Sequence, residues 1–561
     1  MYKPKHMATT PKATRPDDAP AVGADLPEPT EKDGVESNAD TKRQVGRSAA
    51  MMGVLVVVSR VTGFLRTWGQ AYALGVTMLA SVYTVANNLP NQLYELVAGG
   101  MIMTAFLPTY MSVKTRLGRK GANDYASNLF WIVTIAMGVL TVLSFALAGP
   151  VIWTQSFSAS KDFDTDLAVY LFRFFSVEIV LYALSSIISG ILNAERDYFW
   201  SNAAPIFNNV ICTSSFLLYG FFAKGNPGLA VLMLAIGNPL GVLVQVLLQV
   251  PSLRKHGVSL RPHVDLHDPA LKDMLSIGLP TLIVTIASFP TVAVQTSSAL
   301  QVTSAGASVA YYARLWYVLP YSVFAVPLTV ALFTELSQYS ADDDMESFKD
   351  SFVFGVKRIL FMLVPFSMYL IVFSVPLITI LAAGKFGHED ILTTAMYLSW
   401  LATALPAYGI STLLQKVCSS LRRMKAYAIA TIVAAVVQVA FCMTLTDAFG
   451  LAGVAFSSTL FFLAVDVVTL LNIRSRLGRI GLSSVVVSAV RSLALGLVGA
   501  AVGAVLLSLY MGHAGQDLGV VQSIVACVVG GVPAVLVTYG GAVLLRVPEA
   551  SAVTSLLRRR R

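Results

Sequence analysis

Charge is scarce in this sequence. Of 561 residues only 13% are Asp, Glu, Lys or Arg, while 55% are hydrophobic, and the mean hydropathy is +0.69. That balance excludes an ordinary soluble domain. Cysteine is nearly missing: Cys212, Cys418, Cys442 and Cys527 all fall in apolar runs without paired spacing. This argues against a disulfide framework or a thiolate metal site and reads as small buried side chains. The six histidines sit in tails or loops, so no haem, intramembrane metal or other cofactor is expected. Continuous apolar runs replace the alternation that a membrane β-barrel would need. No nucleophile–base constellation or Gly-rich phosphate loop occurs, so no enzyme is expected. The best candidate cluster, His263, Asp265 and His267 in "HVDLHD", precedes Pro269, and Asp268 there reads as a helix N-cap.

What is present is a series of apolar runs long enough to cross a hydrocarbon core of roughly 30 Å as helices. Fourteen spans are expected, centred near residues 61, 94, 139, 179, 212, 240, 287, 322, 366, 404, 436, 462, 497 and 532. An even count puts both termini on one side. Loops on that side carry sixteen Lys and Arg, including Arg116, Arg196, Arg422 and Arg479, against Lys161, Lys224 and Lys385 opposite. The positive-inside rule then makes both termini cytoplasmic. The net charge of +9 is accounted for by these loops and by the run Arg558 to Arg561, which would lie against anionic lipid. It calls for no nucleic-acid partner. Residues 1–47, rich in Pro, Asp, Glu and Lys, read as a disordered tail and not a signal peptide.

The spans repeat. "YALSSIISGILNAER" from Tyr182 aligns without a gap on "YGISTLLQKVCSSLR" from Tyr408, an offset of 226; Leu89-Pro90 and Leu319-Pro320 are offset by 230. Both shifts equal six spans. The expected architecture is therefore all-α, with lobes at 48–252 and 274–475 joined by a loop at 253–273, two further helices at 476–546, and a basic tail at 547–561.

Several basic residues lie inside the spans. Lys357, Arg358, Lys416 and Arg491 are near enough to cytoplasmic ends to snorkel, and Arg173 is near the outer end of its span. Arg60, Arg66 and Arg314 are not so placed. Arg60 lies about 18 Å into the first span, where a charge costs roughly 2.5–3.5 kcal/mol on insertion scales. They either pair with a carboxylate such as Glu95, Glu178, Glu335 or Asp466, or they line a hydrated cavity as fork-shaped donors for phosphate. Arg60 and Arg66 point about 240° apart around an ideal helix, so sharing a cavity needs a bend, which Gly63 permits, or a cavity that wraps the helix. Span 2 carries Asn87, Asn88, Pro90, Asn91, Gln92 and Glu95, polar groups expected to face inward.

With these residues in place, the sequence resembles the MurJ/MviN family of lipid II flippases, within the multidrug/oligosaccharidyl-lipid/polysaccharide exporter superfamily. The resemblance rests on "SRVTGFLRT", "ANNLPNQLYELVAGG", "YYARLWYVLP", "GKF" at 384–386 and "FGLAGVAFS" at 449–457; "LYELxxGG" is similar to the actinobacterial branch. It implies a V-shaped pair of lobes in the bacterial cytoplasmic membrane, moving lipid II outward by alternating access. The last two spans would form a groove for the polyprenyl tail, with anionic lipids and the cell-wall synthesis machinery as neighbours. Carried over to this sequence, the substrate-facing set is Arg60, Arg66, Arg314, Asn87, Asn91, Tyr94 and Glu95. The chain departs from the family in three places. It has one residue fewer before Arg314, Tyr94 where many members have arginine, and Ser81 where an aspartate is common. A flippase for another polyprenyl-diphosphate glycan, or a cation-coupled drug exporter, are the alternatives.

Overall fold

A computed structural model describes residues 31–550 apart from 383, 479–480 and 515–517. Residues 1–30, Arg479 and the run Arg558–Arg561 lie outside that description. The chain divides into two units, residues 1–53 and 54–561, and the packing and the site described below belong to the second.

All regular structure is helical: α1 Glu31–Leu74, α2 Met78–Tyr94, α3 Gly100–Ala146, α4 Ala148–Ser156, α5 Thr165–Phe175, α6 Glu178–Ala194, α7 Tyr198–Phe222, α8 Pro227–Lys255, α9 Pro269–Val302, α10 Gly306–Pro320, α11 Val326–Ala341, α12 Met345–Val372, α13 Ser374–Leu381, α14 His388–Ala402, α15 Leu405–Ser420, α16 Met424–Leu477, α17 Leu482–Ala514 and α18 Val520–Leu544. Residues 31–47, read from composition as a disordered tail, are helical, as the first part of α1. Eleven helices or merged helical runs are long and apolar enough to cross a membrane, which makes this a polytopic helical protein. Two of the fourteen expected spans are not in that set, and two others merge into one member of it. Span 2 falls on α2, of 17 residues, and span 10 on α14 and α15, of 15 and 16. Spans 11 and 12 share α16, within which Gly450 takes a left-handed φ of 56°.

The duplication read from sequence has a backbone counterpart. Left-handed residues recur at Gly118 and Asp343, Arg196 and Arg422, and Gly257 and Gly478, pairs spaced by 225, 226 and 221 residues. After α6, the Asp197 N–H bonds Leu192 O and the Arg196 N–H bonds Asn193 O; after α15, Arg423 bonds Cys418 and Arg422 bonds Ser419 in the same pattern. Both ends are Schellman-type stops. Pro90 and Pro320 are likewise each followed by a five-residue π-helical turn, Glu95–Gly99 and Tyr321–Ala325, as expected where a missing N–H disturbs the ladder.

Three apolar cores hold the two halves, each taking in a few residues from across the divide, such as Leu300 and Ala307, Met274, and Ala71. Tyr83, Phe172, Phe175 and Phe216 anchor one cluster and Phe106, Tyr125 and Ile188 a second in α2–α8. Tyr397, Leu363 and Leu413 anchor a third in α10–α16. The hydrogen bonds joining the halves lie mainly at the end away from the basic loops. Ser158 and Ser297 hydroxyls meet at 2.8 Å, the Ser160 N–H bonds Leu300 O, the Ser308 N–H bonds Ser81 Oγ at 3.0 Å, and Tyr312 Oη bonds Gly75 O at 3.1 Å. Gly75 and Gly384 let the two loops touch there. At Gly384, with φ of 88°, an added Cβ would stand 2.4 Å from Tyr72 O. At the basic end the first turns of α9 cross over instead: Tyr125 Oη contacts Met274 Sδ, and Asn128 bonds Asp265 O and Asp268. Asp268 caps α9 as expected, accepting the Ala270 N–H.

Two outcomes follow. Gly384→Ala should destabilise the chain by at least the roughly 1–2 kcal/mol of a left-handed side chain, read as a lower thermal midpoint in detergent. Gly138→Ala, with open space around its Cα, should not lower it. At the basic end Glu195 accepts from Lys114 Nζ at 2.6 Å and Tyr110 Oη at 2.9 Å. Burial pushes its carboxyl up, but these bonds and the Lys114 and Arg119 charges outweigh that and hold it below the usual range. A depressed carboxylate contributes stability above its unfolded value of about 4.3 and loses it as pH falls through the folded one. Glu195→Gln should therefore lower the midpoint at pH 7, with the deficit closing as pH drops below about 4.

Candidate functional site

The site is built around α1. Its face at Ser59, Thr62, Gly63 and Gly69 lies on α7, where Asn209 Nδ2 bonds Thr62 Oγ1 at 3.2 Å and Thr213 stands against Gly69. Its face at Phe64 and Ala71 points at the other half. Phe64 meets the Trp316 ring edge-on at 6.0 Å, and Ala71 enters the core of α10–α16. At about 100° per residue, Arg60 falls on the Phe64–Ala71 face, one turn nearer the basic end, and it is exposed. That face turns toward the second half, where Trp316 packs against Phe64. Arg66 falls near the α7 face and is half-buried among Tyr83, Tyr182, Cys212 and Tyr311, its Nε buried and unbonded. The expected 240° separation holds, and α1 passes through Gly63 without leaving the helix, so no bend brings the two together.

Arg314 is exposed on α10 and lines a polar chamber of about 110 Å³ with Asn88 and Gln92 of α2, Gln155 of α4, Gln295 of α9 and Tyr397 of α14. Among the described residues no carboxylate oxygen lies within 4.0 Å of Arg60, Arg66 or Arg314. These guanidinium groups are not locked in ion pairs, and Arg60 and Arg314 open onto space rather than packed side chains. Glu178 stands within electrostatic reach of Arg66 but is engaged elsewhere: its Oε2 accepts from Asn238 Nδ2 at 2.8 Å and Tyr182 Oη at 3.2 Å. Asp466 takes the Ser411 hydroxyl at 2.6 Å.

The span 2 residues divide. Tyr94 and Glu95 line a second recess of about 410 Å³ with Tyr182, Ser185, Ser189 and Gln245. Asn91 is exposed and donates to Glu95 Oε1 at 3.1 Å. Asn87 turns the other way: its Oδ1 accepts from Asn238 Nδ2 inside the first half, because a helix carrying amides on successive residues cannot aim them all at one face. Asn88, Gln92, Gln155 and Gln295 were missed as a set. An amide isolated in an apolar run was the available signal, and only tertiary packing makes these four converge. Ser81, in place of the family's aspartate, is fully buried and caps the start of α10 through the Ser308 N–H.

An apolar groove of about 580 Å³ opens beside the cleft. It is walled by Trp316, Leu319, Phe324, Phe366 and Phe373 on one side and by Val528, Val532 and Leu536 of α18 on the other. Trp316 belongs to both groove and cleft. No residue of α17 lines it, so the expectation of a groove formed by both last helices holds for α18. α17 stands behind, where Thr538 Oγ1 bonds Leu495 O.

A polytopic helical bundle in two related halves, hydrogen-bonded mainly at one end and carrying arginines that no carboxylate neutralises, is the construction of a membrane carrier. The fold is that of a solved lipid II flippase MurJ, described as an inward closed conformation, with TM-score 0.70 over 88% of this chain and 99% of that one at 19% identity. An inward-facing multidrug resistance MATE family transporter of the MOP superfamily matches at TM-score 0.63, over 74% of this chain and 94% of that one, at 17% identity. The family model for "Lipid II flippase MurJ" matches residues 70–529, and the chain belongs to that family. Its relatives include the lipid II flippase MurJ of Burkholderia cenocepacia, 27% identical over 65% of this chain and 70% of that one. The probable lipid II flippase MurJ of Borreliella burgdorferi is 22% identical over 75% and 82%.

Single cysteines at positions 60, 95 and 314 should react with a water-soluble thiol reagent. Asn87→Cys, turned against Asn238, should react at least tenfold more slowly; equal rates at all four would contradict the assigned faces.

Proposed function

We propose that this protein carries lipid II from the inner to the outer leaflet of the bacterial cytoplasmic membrane by alternating access. The observation that carries the reading is the pair Arg60 and Arg314, exposed on facing helices with no carboxylate beside them. A diphosphate entering the cleft would replace water as their partner, and charge-assisted bonds to guanidinium are the strong kind. Arg66, behind Arg60, adds positive potential from the first half, while Asn91, Tyr94 and Glu95 are placed to meet the sugar-peptide head. Asn87 acts at one remove, through Asn238. The polyprenyl tail would stay outside the cleft, in the groove that shares Trp316 with it.

In this reading the chain crosses the membrane fourteen times, as two six-span lobes followed by α17 and α18, because the left-handed turns at Gly118 and Gly450 each reverse the chain. The basic end is cytoplasmic, with both termini, and the contacts around Gly75 and Gly384 seal the outer end. The cleft then opens inward, toward the leaflet where the substrate is made. The test is a conditional flippase-depletion strain. Arg60→Ala, Arg66→Ala or Arg314→Ala should insert at normal levels yet fail to restore growth, and lipid II should accumulate in the inner leaflet. Normal growth with Arg60→Ala and Arg314→Ala would sink the reading. Accumulation of a different polyprenyl-diphosphate glycan would replace the substrate and keep the mechanism.

A further inference from the structure

Away from the cleft, at the basic end, α12 and α17 diverge around a cavity of about 670 Å³, within the roughly 300–1,000 Å³ range of small-molecule sites. Its walls carry Lys357 and Arg358 of α12, Arg491 and Ser484 of α17, and Glu549 after α18. The groove for an apolar tail uses Phe366, Tyr369 and Phe373 on a different face of α12, about 140° around the helix from this one. The two spaces are therefore separate.

Two features set this cavity apart from an ordinary snorkelling cluster. Arg358 is pinned: its guanidinium lies over the Phe354 ring, 4.6 Å from the centroid, and its Nε is buried with no acceptor. Glu549 Oε2, in the same cavity, is buried with no donor. Neither satisfies the other, and among the described residues no carboxylate stands within 4.0 Å of Lys357, Arg358 or Arg491. A buried donor and a buried acceptor that both lack partners are each unfavourable. A ligand that accepts at one end and donates at the other removes both costs.

We propose that this cavity is a binding site for a phosphodiester that carries hydroxyl groups, the chemistry of a phosphatidylglycerol headgroup in the adjoining leaflet. The phosphate accepts from Arg358, Lys357 and Arg491, and a glycerol hydroxyl donates to Glu549. With Asp350 also on the rim, the lining charge is three positive against two negative. That balance suits a single monoanionic phosphate better than a dianion. A lipid held there ties the start of α17 to α12, and so braces the helix that stands behind the groove wall. The proposal does not depend on which substrate the cleft carries.

The test uses the full-length protein in neutral-detergent micelles, with thermal midpoint and native mass spectrometry as readouts. Phosphatidylglycerol should raise the midpoint and give a retained one-to-one adduct; phosphatidylcholine should do neither. The double substitution Arg358→Gln/Arg491→Gln should weaken the adduct at least tenfold. Should that variant misfold, Ser484→Phe fills the cavity while leaving every charge in place, and should abolish the adduct without lowering the lipid-free midpoint. An adduct unchanged in both variants, or none at all with phosphatidylglycerol, overturns the site. Equal protection by inorganic phosphate or glycerol phosphate would assign the cavity to a soluble anion and overturn the lipid. Glu549→Gln should reduce the preference for phosphatidylglycerol over phosphatidic acid, since only the former brings the donating hydroxyl.

Discussion

Three guanidinium groups set in apolar helices without carboxylate partners impose the constraint from which the rest of this structure follows. Arginine stays charged, and a charge in hydrocarbon is costly by any scale. Arg66 sits half-buried beside Tyr83, Tyr182 and Tyr311, whereas Arg60 and Arg314 are exposed, and in the proposed reading water would reach these two through a cleft between helices. The cleft in turn dictates its lining. Asn88, Gln92, Gln155 and Gln295 would be poorly accommodated facing lipid but are satisfied on a wet wall.

Much of this was legible in sequence because it is local. Span centres follow from hydropathy, the Asp268 cap from one residue, and the angle between Arg60 and Arg66 from helix geometry alone. The repeat was visible as an offset near 226 and reappears as Schellman ends at Arg196 and Arg422, where a sequence alignment had no access to the backbone. What sequence could not supply was the partner of each helix face. Asn87 and Asn91 look equivalent in "NNLPNQ", yet one bonds Asn238 inside its half and the other reaches Glu95 in the open. The groove likewise reads as a property of both terminal helices until α18 is seen to form its wall while α17 backs it.

The duplication is strict in backbone and loose in chemistry. Ser185 and Ser411 occupy matched positions, but Ser185 accepts from Gln245 and Gln249, whereas Ser411 donates to Asp466. Tyr182 stands near Tyr94 with ring centroids 6.3 Å apart; its counterpart Tyr408 stacks on Tyr321 at 4.0 Å. The first half keeps its polar groups open to a recess, and the second packs aromatic rings there instead. The asymmetry suits a substrate with a charged head and a long apolar tail. In the proposed reading the head would meet the arginines of α1 and α10, and the tail the phenylalanine-lined wall that the second half forms with α18.

The contacts that seal the far end are suited in strength to a carrier. Ser158–Ser297, Ser160–Leu300, Ser81–Ser308 and Tyr312–Gly75 are neutral hydrogen bonds, each worth about 0.5–1.5 kcal/mol net. No ion pair joins the halves there among the described residues, and Lys385 contributes a ring contact to Tyr219 at 5.3 Å. Where the family often has an aspartate, Ser81 keeps the bond to the α10 amide neutral. Moving a two-state equilibrium from 1:99 to 99:1 takes about 5.5 kcal/mol of differential affinity. In the proposed reading, a few charge-assisted bonds from diphosphate to Arg60 and Arg314, each about 1.5–3 kcal/mol, would reach that figure if they formed better in one state than the other. Replacing this seal with buried salt bridges would put the opening cost beyond what one lipid head can supply, which gives a physical reason for small neutral side chains at the gate and unpaired charges in the cleft.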